Sequence, residues 1–149
     1  AEPDSSPVDA PSPVPADAAP VVDTAPSSEA CKQFSVALNY AATNYEDFAY
    51  NTAGNGNIVN YDDPSVQDSN VTGRTALRQA AASAWSASNI PGVTPDVSGP
   101  IQSWSLHATK LVFIMGLRGG GDSLNNTATD LNTDAHNAQM ACAMAGTPA

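Results

Sequence analysis

The placement of proline divides this chain in two before anything else is read. Seven of its twelve prolines, Pro3, Pro7, Pro11, Pro13, Pro15, Pro20 and Pro26, fall within the first 28 residues, among Ala, Ser, Val and Asp. Repeated proline fixes φ and biases such a stretch to extended polyproline II. The same stretch holds five acids, Glu2, Asp4, Asp9, Asp17 and Asp23, and no base. It has too little apolar area to offset the entropy of ordering it. Residues 1–28 are therefore expected to form a disordered or extended Pro-rich N-terminal arm.

Residues 29–146 have a different pattern, and they are expected to form one helical domain. A first helix is predicted over about 29–53, with Cys31, Phe34, Leu38, Ala41/Ala42, Tyr45 and Phe48/Ala49 recurring at three- and four-residue steps. Ser28 is its expected N-cap and Gly54 its end. The second starts at Asp63-Pro64, a capping residue followed by proline at the first helical position, and runs to about Ser88. Its expected inner positions are Val66, Leu77, Ala81, Ala84 and Trp85, with a break near Asn70 because Gly73 weakens the middle. Ile90-Pro-Gly-Val-Thr-Pro95 reads as a loop. The third helix is expected over about 100–118, with Ile101, Trp104, Ala108, Leu111, Val112 and Met115 inward. The apolar run Leu111 to Met115 reads as a core segment. The fourth is expected over about 123–145, on a stripe of Leu124, Ala128, Leu131, Ala135, Ala138, Cys142 and Ala145, with Gly146 as cap. The small residues on that stripe predict a close helix approach. No run alternates with period two. The fold class is all-α, a four-helix up-down-up-down bundle.

This topology tests the two cysteines. The start of the first helix and the end of the last lie at the same end of such a bundle, and Cys31 and Cys142 sit at those two places on inner stripes. One disulfide is expected, in an oxidising compartment. Closing a loop of this length contributes roughly 4–5 kcal/mol in the chain-entropy model.

Charge excludes some functions. The formal net charge is −10, with only five Lys and Arg. Phosphate neutralisation needs clustered bases, so nucleic acid is excluded as a partner, and the overall balance argues against anionic lipid surfaces. No apolar stretch is long enough to span a membrane. The Ala1-Glu-Pro-Asp4 start has no basic or apolar signal region and resembles a mature end left after signal-peptide removal.

Catalytic and metal chemistry finds little support. His107 and His136 are the only histidines. His136 with Met140 at i+4 has the spacing of axial haem ligands, but His136 lies off the apolar stripe and no haem-attachment motif is present. Asp130 and Asp134 share a helical face without the three or four convergent ligands that zinc needs. The loop Asn55–Asp63 is rich in oxygen but lacks EF-hand spacing, and Gly116–Asp122 lacks the elements of a phosphate loop. No Gly-x-Ser-x-Gly occurs, and Glu46-Asp47 reads as solvated surface. Asn70-Val-Thr and Asn125-Asn-Thr match the N-glycosylation sequon. No metal, no cofactor and no enzymatic activity are expected.

The Pro/Ala/Ser/Asp-rich residues 1–28, the Ala-rich helical body and the single pair Cys31 and Cys142 together resemble the small exported proteins of mycobacteria and related actinobacteria. The resemblance is compositional. It implies export to the periplasm or cell wall, often without enzymatic activity. Type VII secretion hairpins do not match, since Trp85 is followed by Ser86-Ala87 and no Tyr follows Tyr61. The expected function is a secreted or periplasmic, non-catalytic interaction protein of the cell envelope. Its protein partner would be a membrane complex such as a respiratory or transport assembly. Docking would run through Pro7, Pro11, Pro13, Pro15 and Pro20, because polyproline II loses little entropy in a partner's groove. The alternative is a carrier of a small apolar ligand such as haem or lipid.

Overall fold

A computed structural model describes residues 25–52, 59–118 and 121–146. Four α-helices account for nearly all of them: α1 (Ala25–Thr52), α2 (Pro64–Ser88), α3 (Pro95–Gly116) and α4 (Gly121–Met144). Among the described residues there is no strand. The arm prolines Pro7, Pro11, Pro13, Pro15 and Pro20, the Asn55–Asn57 turn and Gly119-Gly120 lie outside the described residues.

Two helices begin earlier than the sequence pattern suggests, and proline is the reason in both. α1 starts at Ala25, so Ser28 is inside the helix and is not its cap. Pro26 sits in the first turn, where a missing N–H costs nothing. α3 starts at Pro95 behind Thr94 as N-cap, which turns the expected loop end into a first helical turn and buries Val97. Pro100 is then a proline inside the helix. α2 begins as expected: the Asp63 carboxylate accepts from the Ser65 backbone N–H at 2.9 Å, and Pro64 follows. Its expected break is absent. A Cβ on Gly73 would stand 3.3 Å from Met115 Cε and 3.6 Å from the Asn44 carbonyl, so glycine is there for a close approach of α1 and α3 to α2. α4 ends at Met144, and Gly146, two residues on, has the positive φ of 81° that suits the glycine after a helix end.

Side-chain bonds between helices establish the antiparallel order. Gln33 donates to the Ser83 carbonyl at 2.9 Å, Tyr40 to Gln79 at 2.8 Å and Asn51 to the Ser65 carbonyl at 3.2 Å. Ser105 donates to the Ala81 carbonyl at 2.7 Å, and Asn70 to the Met115 carbonyl at 3.2 Å. The start of each helix therefore meets the end of the one before it. α2 lies between α1 and α3 and packs closely on both. It buries Ala76, Ala80, Ala81, Ala84 and Ala87, and small side chains let backbones approach. Phe34 of α1 and Trp104 of α3 meet edge-to-face in the core, with centroids 5.5 Å apart.

Two expectations about inner positions need correction. Trp85 is 45% exposed. Neighbouring helical residues diverge by about 100°, and Ala84, fully buried, takes the inward direction where α2 is pressed between two helices. For the same reason Leu111 to Met115 is only partly a core segment: Leu111 and Met115 are buried while Phe113 is exposed. α4 packs mainly on α3 and only lightly on α1.

Candidate functional site

Cys31 and Cys142 form a disulfide across the start of α1 and the end of α4, with their Cα atoms 6.0 Å apart. Both residues are fully buried. The covalent link suits an oxidising, extracytoplasmic compartment.

Away from that link the α1–α4 seam opens into an apolar groove of about 280 Å³. Its walls are Leu38, Ala41, Ala42, Tyr45 and Ala49 of α1 and Ala128, Leu131 and Asn132 of α4. Its floor is the core itself, at Leu77, Trp104 and Leu111. Small side chains on both walls leave space because no backbone closes over them. Tyr45 and Asn132 are its polar tips. Burial, with a smaller contribution from nearby Tyr61, pushes the Tyr45 phenol up to about 12, so it is a neutral hydroxyl at any physiological pH. Burial also raises Tyr61, against a lowering by Arg118 and Arg74.

A polar cluster joins α3 to α4. Asp134, buried, accepts from Ser103 Oγ at 2.8 Å and lies 2.5 Å from His107 Nδ1. With Asp134 ionised, Nδ1 is the donor. His107 Nε2 stands 3.8 Å from Asp130. The serine bonds the carboxylate and not the imidazole, so this arrangement orients a histidine without activating a nucleophile. The sequence set Asp130 and Asp134 on one face; their histidine lies 27 residues before Asp134, on another helix, and no local spacing reveals it.

The outer face of the α2–α3 pair is the third feature. Val71 and Trp85 of α2, with Leu106, Phe113 and Leu117 at its α3 side, are between 45% and 69% exposed. Arg78, Trp85, Leu106 and Thr109 line one shallow depression there, floored by Ala81, Ala82 and Ser105. At the other end of this face Arg74 donates to Asn70 at 2.7 Å and lies with Arg118 and Gly116 around a smaller polar pocket. Two bases at the C-terminus of α3 complement its dipole.

The remaining candidates from the sequence are dispersed. His136 is exposed, as is Met140 at 50%. Among the described residues no group of three or more His, Cys, Asp or Glu is placed to hold a metal ion. Asp63 is a helix cap, while Glu46 and Asp47 face outward. The Asn70 sequon is closed by burial and by the bond to Met115. No described helix is long and apolar enough to cross a membrane.

Four antiparallel helices, tied at one end by a disulfide between the first and the last, define a four-helix bundle protein. The family model of the Rv2240c four-helix bundle domain matches residues 15–143, most of the chain, and the chain belongs to that family. The family carries a mycobacterial name, in keeping with the actinobacterial resemblance of the sequence. No curated protein and no solved structure matches.

Proposed function

We propose that this chain is an exported, non-catalytic interaction protein of the cell envelope, acting as an accessory subunit of a membrane complex. The observation that carries this reading is the outer α2–α3 face. Val71, Trp85, Leu106, Phe113 and Leu117 stand exposed there, and contiguous exposed apolar surface marks interaction sites. The arm supplies a second attachment: Pro7, Pro11, Pro13, Pro15 and Pro20 suit a partner groove at low entropic cost. Two weak attachments on one chain give avidity that neither has alone.

The test is affinity purification of the tagged full chain from detergent-solubilised envelope membranes, followed by native mass spectrometry. Stoichiometric recovery with one integral membrane assembly is expected. The full chain carrying Pro→Ala at those five positions should lose that assembly while keeping its melting temperature. Recovery of the chain alone overturns the reading.

The α1–α4 groove favours a second reading, a carrier of an apolar ligand. Its volume of about 280 Å³ lies just under the roughly 300–1,000 Å³ of small-molecule pockets. It suits one acyl-like chain better than a haem. Lipid in the organic extract of natively purified protein supports it; a lipid-free extract counts against it.

A further inference from the structure

The chain is strongly acidic overall, but its charge is not evenly placed. Four of its five basic residues, Arg74, Arg78, Lys110 and Arg118, lie between Val71 and Arg118, and the only acid in that interval is Asp96. Asp96, in the first turn of α3, lines a cleft with Ala141 and Met144 of α4 and with Ala145 just past it. Among the described residues no ion pair engages Arg78 or Lys110.

Register brings these bases among the exposed apolar side chains. On α2, Val71, Arg78 and Trp85 recur at seven-residue steps and share one stripe. On α3, Leu106 and Phe113 do the same, with Lys110 beside them and Leu117 one turn on. The Ser105–Ala81 and Asn70–Met115 bonds put the two helices in antiparallel register, which sets Leu106 between Arg78 and Trp85 and Phe113 beside Val71. The result is two parallel ridges of Trp, Leu and Phe, interleaved and flanked by cations.

We propose that this face docks on a membrane surface bearing anionic headgroups. Trp85, Leu106, Phe113 and Leu117 enter the boundary between headgroups and acyl chains, as the apolar face of an interfacial helix does. Trp is at home at that depth. Arg78, Lys110 and Arg118 reach lipid phosphates along their aliphatic stems. The acids of α1 and α4 do not prevent this. Asp130 and Asp134 of α4 turn to His107 where α3 meets α4, and Asp68, one turn before Val71, is the one acid on α2 itself. Most of the others stand across a bundle two helix layers thick, each about 8–10 Å, against a Debye length of about 8 Å at physiological salt. The local charge, not the net charge, decides. The inference rests on the α2–α3 face being the docking surface and adds what it docks to. The protein contact of the arm is separate from it.

The experiment is co-sedimentation of the full chain with vesicles of mixed phosphatidylcholine and phosphatidylglycerol, and with phosphatidylcholine alone. Binding is expected to the mixed vesicles, to weaken with added salt, and to fall at least tenfold on phosphatidylcholine alone. Emission of exposed Trp85 should shift to the blue on the mixed vesicles, against the constant signal of buried Trp104. The double variant R78Q/K110Q should bind about thirtyfold more weakly, and L106Q/F113S should lose the blue shift, both with unchanged melting temperatures. Absence of binding, equal binding to both vesicles, or unchanged binding by both variants overturns the proposal. If vesicles fail while the envelope assembly is still recovered through Leu106 and Phe113, the face belongs to an acidic protein partner. This inference then falls and the proposed function stands.

Discussion

The α2–α3 seam and the α1–α4 seam solve the same packing problem in opposite ways. Between α2 and α3 the backbones come close over alanines, and two side chains, Ser105 and Asn70, bond directly to the carbonyls of the facing helix. Large residues that find no room inside are left outside, as Trp85 and Phe113 are. Between α1 and α4 the firm tie is the disulfide at one end, and small residues further along line a groove. Small side chains allow close approach but do not enforce it. A seam closes when something pulls the backbones together, and here that is hydrogen bonding in one case and one covalent bond in the other.

The largest test of this contrast is removal of the covalent tie. C31S/C142S should lose roughly 4–5 kcal/mol, read as a fall in the denaturant midpoint. Hydrogen exchange should rise first along α4 and the start of α1, with α2 and α3 protected longest. Uniform loss of protection across all four helices would remove the distinction between the seams. Next in size is Phe34→Ala. Phe34 is fully buried against Trp104, and its truncation should cost about 3–5 kcal/mol by chemical denaturation.

A smaller effect should follow from Tyr45 in the groove. Its phenol is raised to about 12 in the folded state, against a reference of 10.0. The unfolded chain therefore ionises first, and the folded state holds more protons between those values. The stabilisation is complete below pH 10 and is lost as pH rises towards 12. Allowing for the partial exposure of the ring, roughly 1–3 kcal/mol should disappear across that window. Stability measured against pH should fall less steeply there in Tyr45→Phe. Smaller again is Ser105→Ala, which should cost about 1 kcal/mol and raise exchange at the α2–α3 seam alone. The smallest stability change should come from Phe113→Ser. It should lie within about 0.5 kcal/mol, since the ring is exposed. A larger loss would show that the outer face is structural.

Much of the bundle was legible because helical periodicity is local. The stripes from Cys31 to Phe48 and from Leu124 to Ala145 can be read without knowing what they face. Cys31, Phe34, Ala41, Phe48, Leu124, Leu131, Ala138 and Cys142 are buried, while Leu38, Tyr45, Ala128, Ala135 and Ala145 are only partly so and Ala42 and Ala49 are exposed. The cysteine pairing followed from topology, since an antiparallel four-helix order brings its two ends together. Helix starts were less legible, because Pro26 and Pro95 read equally as loop residues and as first-turn residues until the tertiary fold used them.

The rest depends on distances between helices. Leu111 to Met115 is apolar throughout, and only packing against α2 and α4 decided which of those side chains face water. The meeting of Ser103, His107 and Asp134, the groove at Tyr45 and the cationic ridge pair of α2 and α3 each need two or more helices at a given spacing and register. The sequence by itself determined which residues lie on one side of each helix, because that angle is a property of the helix alone. Only the tertiary structure decided which of those sides meet, how closely, and where charge collects, because those are set by the joint packing of all four.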